Sequence, residues 1–235
     1  MCEYFERTEL LLGSEAIQKL QRTNVAVFGA GGVGGYVIEA LARCGIGAIT
    51  VFDRDRVSIT NLNRQIIATV ETVGRDKVDV VKERISVINP ACKVTVHKCF
   101  YMPENADLFD LSVYDYVIDA IDTVTAKIEL AVRTRKLNIP FISCMGTGNK
   151  LDPTKLRIAD LSQTKTCPLA RVMRRELKNR NILHMKVLFS EEEPVKVNPR
   201  FENGKSIPGS IAFVPATAGL LIAAEAIRDI LNKNN

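Results

Sequence analysis

The chain has 235 residues, of which 46% are hydrophobic, so it can bury one sizeable core, and we expect a single domain spanning residues 1–235. Lysine and arginine exceed aspartate and glutamate by 32 to 27, and this modest net charge of +5 permits an anionic partner without requiring one. The six cysteines form no C-x-x-C pair, which argues against a zinc ribbon and against a disulfide scaffold.

The sequence carries no recognisable signal for export or for membrane insertion. Residues 1–7 lack the basic start and the apolar run of a signal peptide. The longest weakly polar run, at 213–224, is too short to cross a bilayer. We therefore expect a soluble, cytoplasmic protein without a membrane partner.

Strands and helices are predicted to alternate along the first 145 residues. After a short helix at 14–20, expected to be capped by Ser14, the pattern gives strands at 25–28, 48–52, 93–97, 115–118 and 140–145, and helices at 33–44, 76–88, 103–110 and 123–137. Such alternation predicts βαβ units and hence an α/β fold: a Rossmann-like, doubly wound, mainly parallel sheet with helices on both faces.

The alternation ends after Gly146. Strands at 156–159 and 186–189 flank a predicted helix at 168–180, a loop rich in charge and proline spans 190–208, and a last helix starts near Pro215. We expect residues 1–148 to form the nucleotide-binding part of the domain. Residues 149–235 would form an α+β elaboration that carries substrate specificity.

A glycine-rich turn joins the first strand to its helix. Gly29, Gly31, Gly32 and Gly34 follow the strand in G-x-G-x-x-G register, which allows a tight turn and close approach to a phosphate at the helix N-terminus. Asp53 ends the next strand, about 20 residues on, where a carboxylate takes ribose hydroxyls. Together these features predict a bound nucleotide. The alternative is a doubly wound domain with an empty or degenerate site.

Polar residues downstream of Asp53 favour ATP over a dinucleotide, because a third phosphate calls for extra cations. Arg64 can fork onto phosphate oxygens, and Lys77 can act on them as a point charge. Asn61 and Gln65 can supply neutral donors. Each cation taken singly would be assigned to an ordinary surface position; their combination after the glycine turn points to triphosphate binding.

Two aspartates close the predicted strand at 115–118. Asp119 and Asp122 stand where a carboxylate can hold Mg²⁺ on the phosphates, since hard oxygen ligands suit this ion. Asp122 can also cap the helix that is predicted to begin at Thr123, and the two roles are compatible.

These motifs together resemble the adenylating enzymes related to ubiquitin-activating enzyme and its bacterial counterparts in thiamine and molybdopterin synthesis. G-A-G-G-V-G, D-x-D, S-x-x-N-x-N-R-Q, V-G-x-x-K and D-A-I-D occur in that order, and the match runs from about Arg7 to Gly148. The resemblance implies attack of a carboxylate on the α-phosphate of ATP, which gives an acyl-adenylate and pyrophosphate.

The same resemblance implies a role for each site residue. Asp53 would bind ribose, and Asp122 would sit with Mg²⁺. The phosphates would be surrounded by Asn61, Arg64, Gln65 and Lys77. Arg7 matches an arginine that members supply to the ATP of the neighbouring subunit, which implies a homodimer.

The second half of the chain narrows the resemblance. Segments 146–153, 168–174, 190–194 and 209–215 are similar to the tRNA threonylcarbamoyladenosine dehydratase branch of these enzymes. That branch implies ATP-dependent dehydration, by cyclisation, of threonylcarbamoyladenosine in the tRNA anticodon loop, with release of AMP and pyrophosphate. Because the substrate's own carbamoyl group can attack the adenylate, we expect no catalytic role for Cys167.

Three alternatives stay open. The first is an activator of a ubiquitin-like sulfur carrier, although such enzymes usually carry two C-x-x-C zinc pairs that this chain lacks. Whichever activity holds, a sulfur-transfer protein is a further candidate partner. The second is a nucleotide-binding scaffold without turnover. The third, an NAD oxidoreductase, is least favoured because it leaves Arg64 and Lys77 without a purpose.

A basic helix face suits the tRNA. In the predicted helix at 168–180, four basic residues at i, i+3, i+4 and i+7 share one face: Arg171, Arg174, Arg175 and Lys178. Such a face can contact phosphates and so position a nucleic acid, although an ordinary solvated helix shows the same pattern. Aromatic residues make up 6% of the chain and tryptophan is absent, so no stacking platform for the modified base is evident.

Overall fold

The computed structural model describes residues 3–198, 200–202 and 205–232. Seven strands form one sheet in the order β3-β2-β1-β4-β5-β7-β6. Their bounds are β1 (Asn24–Phe28), β2 (Ala48–Phe52), β3 (Lys93–His97), β4 (Tyr116–Asp119), β5 (Phe141–Cys144), β6 (Leu156–Asp160) and β7 (Lys186–Ser190). All neighbouring pairs are parallel except β6 with β7, so the prediction of a mainly parallel α/β sheet is confirmed.

Seven α-helices accompany the sheet in the described residues. Their bounds are α1 (Glu6–Leu12), α2 (Ser14–Arg22), α3 (Gly34–Arg43), α4 (Lys77–Ile88), α5 (Val124–Leu137), α6 (Pro168–Lys178) and α7 (Phe213–Asn232). None of these helices combines the length and the apolar character that a bilayer crossing demands.

The helices cover both faces of the sheet because side chains alternate along each strand. On one face, Val25 and Val27 of β1 pack in a core shared with α2, α3, α4 and α7. On the other face, Ala26 and Phe28 of β1 pack with residues of α5, and a further cluster joins α5 to α6. Two buried layers therefore hold a doubly wound sheet between them.

Four details differ from the sequence-based expectations. Helix α1 was not predicted, and Ser14 does not cap α2: Gly13 is the capping residue, with φ of +84°, and Ser14 is the first helical residue. The predicted helix at 103–110 is a 3₁₀ helix at Pro103–Leu108. The predicted loop at 190–208 contains a short antiparallel hairpin, β8 (Arg200–Glu202) and β9 (Lys205–Ile207).

The strand order determines where the sheet can form a crevice for a ligand. Strands β2 and β3 lie on one side of β1, whereas β4, β5, β7 and β6 lie on the other, so the direction of winding reverses between β1 and β4. Phe28 at the end of β1 is in register with Phe52 of β2 and Asp119 of β4. Ligands of such sheets bind at this reversal, beyond the carboxyl ends of the strands.

The glycine turn after β1 is held by close backbone packing. Gly29 has φ of +96°, and a Cβ atom there would lie 2.7 Å from the carbonyl oxygen of Ala120, which follows β4. A Cβ atom on Gly34 would lie 1.8 Å from the carbonyl oxygen of Gly29. At Gly31, by contrast, the nearest atom would be 3.9 Å away. Gly29 and Gly34 therefore serve the fold, while Gly31 leaves open space for a ligand.

This difference predicts unequal effects of two alanine substitutions. Gly34→Ala should lower the free energy of unfolding by about 1–3 kcal/mol, because the turn must shift to admit the methyl group. Gly31→Ala should change it by no more than about 0.5 kcal/mol. Denaturant unfolding of the two variants measures both values, and equal effects would show that the turn is not packed as described.

Candidate active site

A cleft of about 700 Å³ lies at the carboxyl ends of β1, β2 and β4. Its walls are the glycine turn, the end of β2, the 60–65 segment and residues 120–122 after β4. Its volume is in the range of small-molecule and cofactor sites. The predicted nucleotide-site residues are brought together here: Gly29, Gly31, Gly32, Asp53, Asn61, Arg64, Gln65, Lys77 and Asp122 all line it, and Gly34 lies behind it in the turn.

Asp53 joins the end of β2 to the glycine turn. Its Oδ2 accepts a hydrogen bond from the backbone N–H of Ala30 at 2.7 Å, and its Oδ1 accepts one from the N–H of Asp55 at 2.8 Å. Burial raises the pKa of Asp53, and the positive charge of Lys77 opposes that rise. A carboxylate offers about four lone-pair sites, so acceptor capacity is left for ribose hydroxyls.

The 57–74 loop carries the polar residues expected around the phosphates. Two backbone hydrogen bonds join the ends of the loop: Gly74 N–H donates to Val57 O, and Val57 N–H donates to Arg75 O, both at 2.8 Å. Within it, Asn61 Oδ1 accepts from the N–H of Ser58 at 3.1 Å. The side-chain carbonyl of Asn61 is therefore committed to the loop, and its NH₂ group is left as the donor.

Arg64 is held by one end of its guanidinium. Its Nη1 donates to Thr60 O and to Asn63 Oδ1, each at 2.9 Å. The side chain is half-buried, and among the described residues it forms no ion pair. Nε and Nη2 are thus available as a fork for phosphate oxygens.

Lys77 is a buried cation rather than a solvated first-turn lysine. It is 5% exposed, begins α4, and its Nζ lies 2.9 Å from Asp55 Oδ2. Asp55 is itself exposed, so water screens that partner more than it screens Lys77. The lysine charge is directed at the cleft that it lines.

Gln65 has unmet hydrogen-bonding capacity at the cleft. The residue is 6% exposed, and its Oε1 has no hydrogen-bond partner among the described residues. An unsatisfied buried polar atom costs about 1–3 kcal/mol. A hydroxyl or N–H group of a ligand can donate to this oxygen, whereas the expected contact with phosphate oxygens would use the Nε2 donor of Gln65.

Of the two aspartates at the end of β4 and just after it, one is structural and the other faces the cleft. Asp119 is fully buried and accepts from Lys127 Nζ at 2.8 Å, from Ser143 Oγ at 2.6 Å and from the N–H of Ile121 at 3.0 Å. It is therefore no candidate for a metal ligand. Asp122 is exposed at the cleft and is not a helix cap, since α5 begins at Val124 after Thr123.

The chemistry of Asp122 suits a magnesium ion held jointly with a nucleotide. Within the described part of the chain, no three His, Cys, Asp or Glu residues cluster as a metal site. An ion at Asp122 would take its other ligands from phosphate oxygens and water, as Mg²⁺ commonly does.

A second cleft of about 610 Å³ continues from the first. Arg64 and Asp122 line both clefts, and so do Thr147, Pro208 and Ser210. The second cleft reaches Leu169 in the first turn of α6. Thr147 and Ser210 lie in segments that the resemblance singled out, but neither they nor Pro208 were predicted to line the cleft, because only the fold brings these distant segments to Arg64.

Helix α6 presents its basic face only in part. Arg171, Arg175 and Lys178 are exposed, whereas Arg174 is half-buried and its Nη1 donates to the backbone and the hydroxyl of Thr164. Arg174 thus anchors the segment before α6, and the expectation of a four-residue solvent face differs from the structure there. Cys167 is 4% exposed and packs in the core beneath α6, as a structural cysteine would.

Arg7 lies away from the cleft of its own chain. It is exposed on α1 and is not among the residues that line the cleft. Helix α1 buries none of its residues, and Leu10 and Leu11 are 82% and 86% exposed. The predicted role of Arg7 thus finds no target within one chain.

Known proteins with similar sequences and structures identify the family of this chain. The chain is 43% identical to tRNA threonylcarbamoyladenosine dehydratase of Bacillus subtilis, over 98% of this chain and 96% of that protein. The structure of E. coli tRNA N6-threonylcarbamoyladenosine dehydratase in complex with ATP matches with a TM-score of 0.89 and 39% identity, over 98% of this chain and 95% of that one.

Sulfur-carrier activators are more distant. The sulfur carrier protein adenylyltransferase of Thermus thermophilus is 40% identical, but only over 47% of this chain and 41% of that protein. The family model of the ThiF family matches residues 5–235. The chain is a member of the ThiF family.

Proposed function

We propose that this protein is an ATP-dependent tRNA threonylcarbamoyladenosine dehydratase, which cyclises the modified base through an acyl-adenylate. The observation that carries the proposal is the continuity of the two clefts, which meet at Arg64 and Asp122. A nucleotide in the first cleft and a carboxylate in the second can react at that boundary. The near full-length similarity to enzymes of this name supports the choice of substrate.

The proposed reaction has two steps. A carboxylate oxygen of the threonyl group attacks the α-phosphorus of ATP, and the bond to pyrophosphate breaks. An atom of the same substrate's carbamoyl group then attacks the activated carbonyl carbon, loses its proton and expels AMP. Ring closure within one bound molecule has a large effective molarity, so the protein need not supply a nucleophile.

The side chains of the cleft would act by charge and position. Arg64 and Lys77 would stabilise the negative charge that grows on the phosphate oxygens in the first step. Asp53 would fix the ribose, and the amides of Asn61 and Gln65 would contact the polyphosphate. Mg²⁺ at Asp122 would supply further positive charge when bound.

The sulfur-carrier alternative is weaker. No sulfur atom enters or leaves the proposed reaction, so no sulfur-transfer partner is required. The sequence also lacks C-x-x-C pairs. Because the proposed substrate is tRNA, we place the enzyme in the cytoplasm.

Mass analysis of tRNA nucleosides tests this function. After incubation with ATP, Mg²⁺ and tRNA carrying threonylcarbamoyladenosine, that nucleoside should lose about 18 mass units while AMP appears, since the activated carboxylate loses one water overall. An unchanged nucleoside mass from ATP-binding protein would overturn the proposal. Pyrophosphate exchange that depends on a ubiquitin-like carrier would then support the alternative.

We also propose a homodimer in which Arg7 completes the ATP site of the neighbouring subunit. The exposed leucines of α1 support this, because side chains such as Leu10 and Leu11 gain about 25 cal/mol for each Å² removed from water. A symmetric pair would place each α1 against its partner, and so carry each Arg7 toward the other cleft.

Complementation between two inactive variants tests the placement of Arg7. Arg7→Ala and Lys77→Ala should each abolish AMP formation as homodimers. Co-expressed subunits should recover roughly a quarter of wild-type activity, because half of the dimers are mixed and one of their two sites is intact. If Arg7 acts within its own chain, the mixture recovers nothing.

The exposed residues Arg171, Arg175 and Lys178 are proposed to contact the phosphates of tRNA. They lie on α6, whose first turn reaches the second cleft through Leu169. The face therefore continues from the place where the modified base would sit. Arg174 contributes to this face only by the exposed part of its side chain, because its Nη1 donates to Thr164.

Neutralising this face should weaken tRNA binding in a salt-dependent manner. Replacing Arg171, Arg175 and Lys178 together by Gln should make the plot of log K for tRNA binding against log salt less steep. The magnitude of its negative slope should fall by about 3, roughly one for each phosphate that is no longer neutralised. ATP affinity should not change. Lys82→Gln on α4, an exposed cation on the opposite face of the sheet, is the matched control; an equal effect there would indicate nonspecific attraction.

A further inference from the structure

A short segment at 208–210 borders both clefts. Pro208 and Ser210 line both cavities, and the segment leads into α7. Its backbone is fastened from both sides by asparagine side chains. Nothing in the roles assigned above to the nucleotide or the tRNA uses these two asparagines.

Asn63 fastens the segment on the nucleotide side. Its Nδ2 donates to the carbonyl oxygen of Ser210 at 3.0 Å, and its Oδ1 accepts from Arg64 Nη1 at 2.9 Å. One amide group therefore joins the 208–210 segment to the guanidinium at the boundary of the clefts. Thr60 O is the other acceptor of the same Nη1.

Asn149 fastens the segment on the other side. Its Oδ1 accepts from the N–H of Gly209 at 2.6 Å, and its own N–H donates to Gly209 O at 2.8 Å. The residue has φ of +56°, in the left-handed region that asparagine tolerates better than most residues. Next to it, Gly148 allows Pro208 to approach, since a Cβ there would lie 2.7 Å from Pro208.

The bonds form a continuous chain from Arg64 to the loop after β5. We propose that Asn63 and Asn149 are positioning residues, which hold the 208–210 segment in the wall shared by the clefts and thereby orient Arg64 toward the reacting phosphate. Asn63 holds Nη1 of the guanidinium and leaves Nε and Nη2 free. Asn149 fixes the segment that Asn63 uses as its anchor. The part that concerns the second cleft rests on the proposed function.

A double-mutant cycle on ATP affinity tests the role of Asn63. Asn63→Ala should raise the dissociation constant for ATP about tenfold, because the charged Arg64 loses a bond that orients it. In an Arg64→Ala background the same change should raise it less than about twofold, since nothing is left to orient. Equal factors in both backgrounds would overturn the assignment, because a general structural defect acts whether or not Arg64 is present.

A conservative pair tests Asn149. Asn149→Gly keeps the backbone conformation but removes the acceptor for Gly209, and should lower the rate of AMP formation with tRNA about tenfold. Asn149→Asp keeps the acceptor and should stay within about threefold of the wild type. Failure of Asp to rescue, or full activity of the Gly variant, would refute the role of Asn149.

Asn138→Gly is the matched control, because Asn138 also has a left-handed backbone, with φ of +54°, at the end of α5. It should leave AMP formation unchanged. Wild-type protein that forms no AMP with tRNA would refute the proposed function, while the ATP-binding cycle would still decide the role of Asn63.

Discussion

The contact between the glycine turn and the backbone after β4 is the constraint on which the site depends. Gly29 lies so close to Ala120 that no side chain fits between them. This contact joins the two strands at which the winding of the sheet reverses. It therefore sets the distance between the turn, where a phosphate can approach, and Asp122, where an ion can bind. Asp53 adds a second tie through its bond to Ala30.

The two cations that line the cleft beside this contact differ in their burial and in their bonding partners. Lys77 is buried and carries an exposed counter-ion, whereas Arg64 is bonded only to neutral acceptors among the residues described. Arg64 thus offers its full charge at the junction of the two clefts, where bonds would change. Lys77 acts from within the protein, where water screens it little. Such preorganised charge needs no rearrangement when negative charge develops in a transition state.

Much of the fold, and the residues that line the first cleft, could be predicted from the sequence, because their signals are local. The glycine turn, Asp53 and the loop with Arg64 each lie in a short motif, and hydrophobic patterning located all seven main strands. Hairpin β8–β9 and helix α1 were not predicted, because the hairpin lies in a polar run and the helix buries no residue.

The wall of the second cleft was not predictable in the same way. Ser210 meets Asn63, and Asn149 meets Gly209, only after the chain has folded. Both lie in segments that resemble the dehydratase branch, but that resemblance does not say which residues they contact. Similarly, hydrophobic patterning does not distinguish the buried Asp119 from the exposed Asp122, and only the family resemblance singles out Asp122. Those distinctions arise from depth in the fold and from contacts between distant segments.

The buried pair of Asp119 and Lys127 has a consequence for motion. Both side chains are fully buried, and Lys127 also donates to Cys144 O at 2.7 Å, so β4, α5 and the end of β5 share one charged network. Exposing one partner without the other would leave an uncompensated buried charge, at a cost of about 3–5 kcal/mol. Local opening on this side of the junction is therefore costly. If tRNA is the substrate, as proposed, we expect the movement that admits it to occur on the opposite side, where neutral amide groups hold the chain.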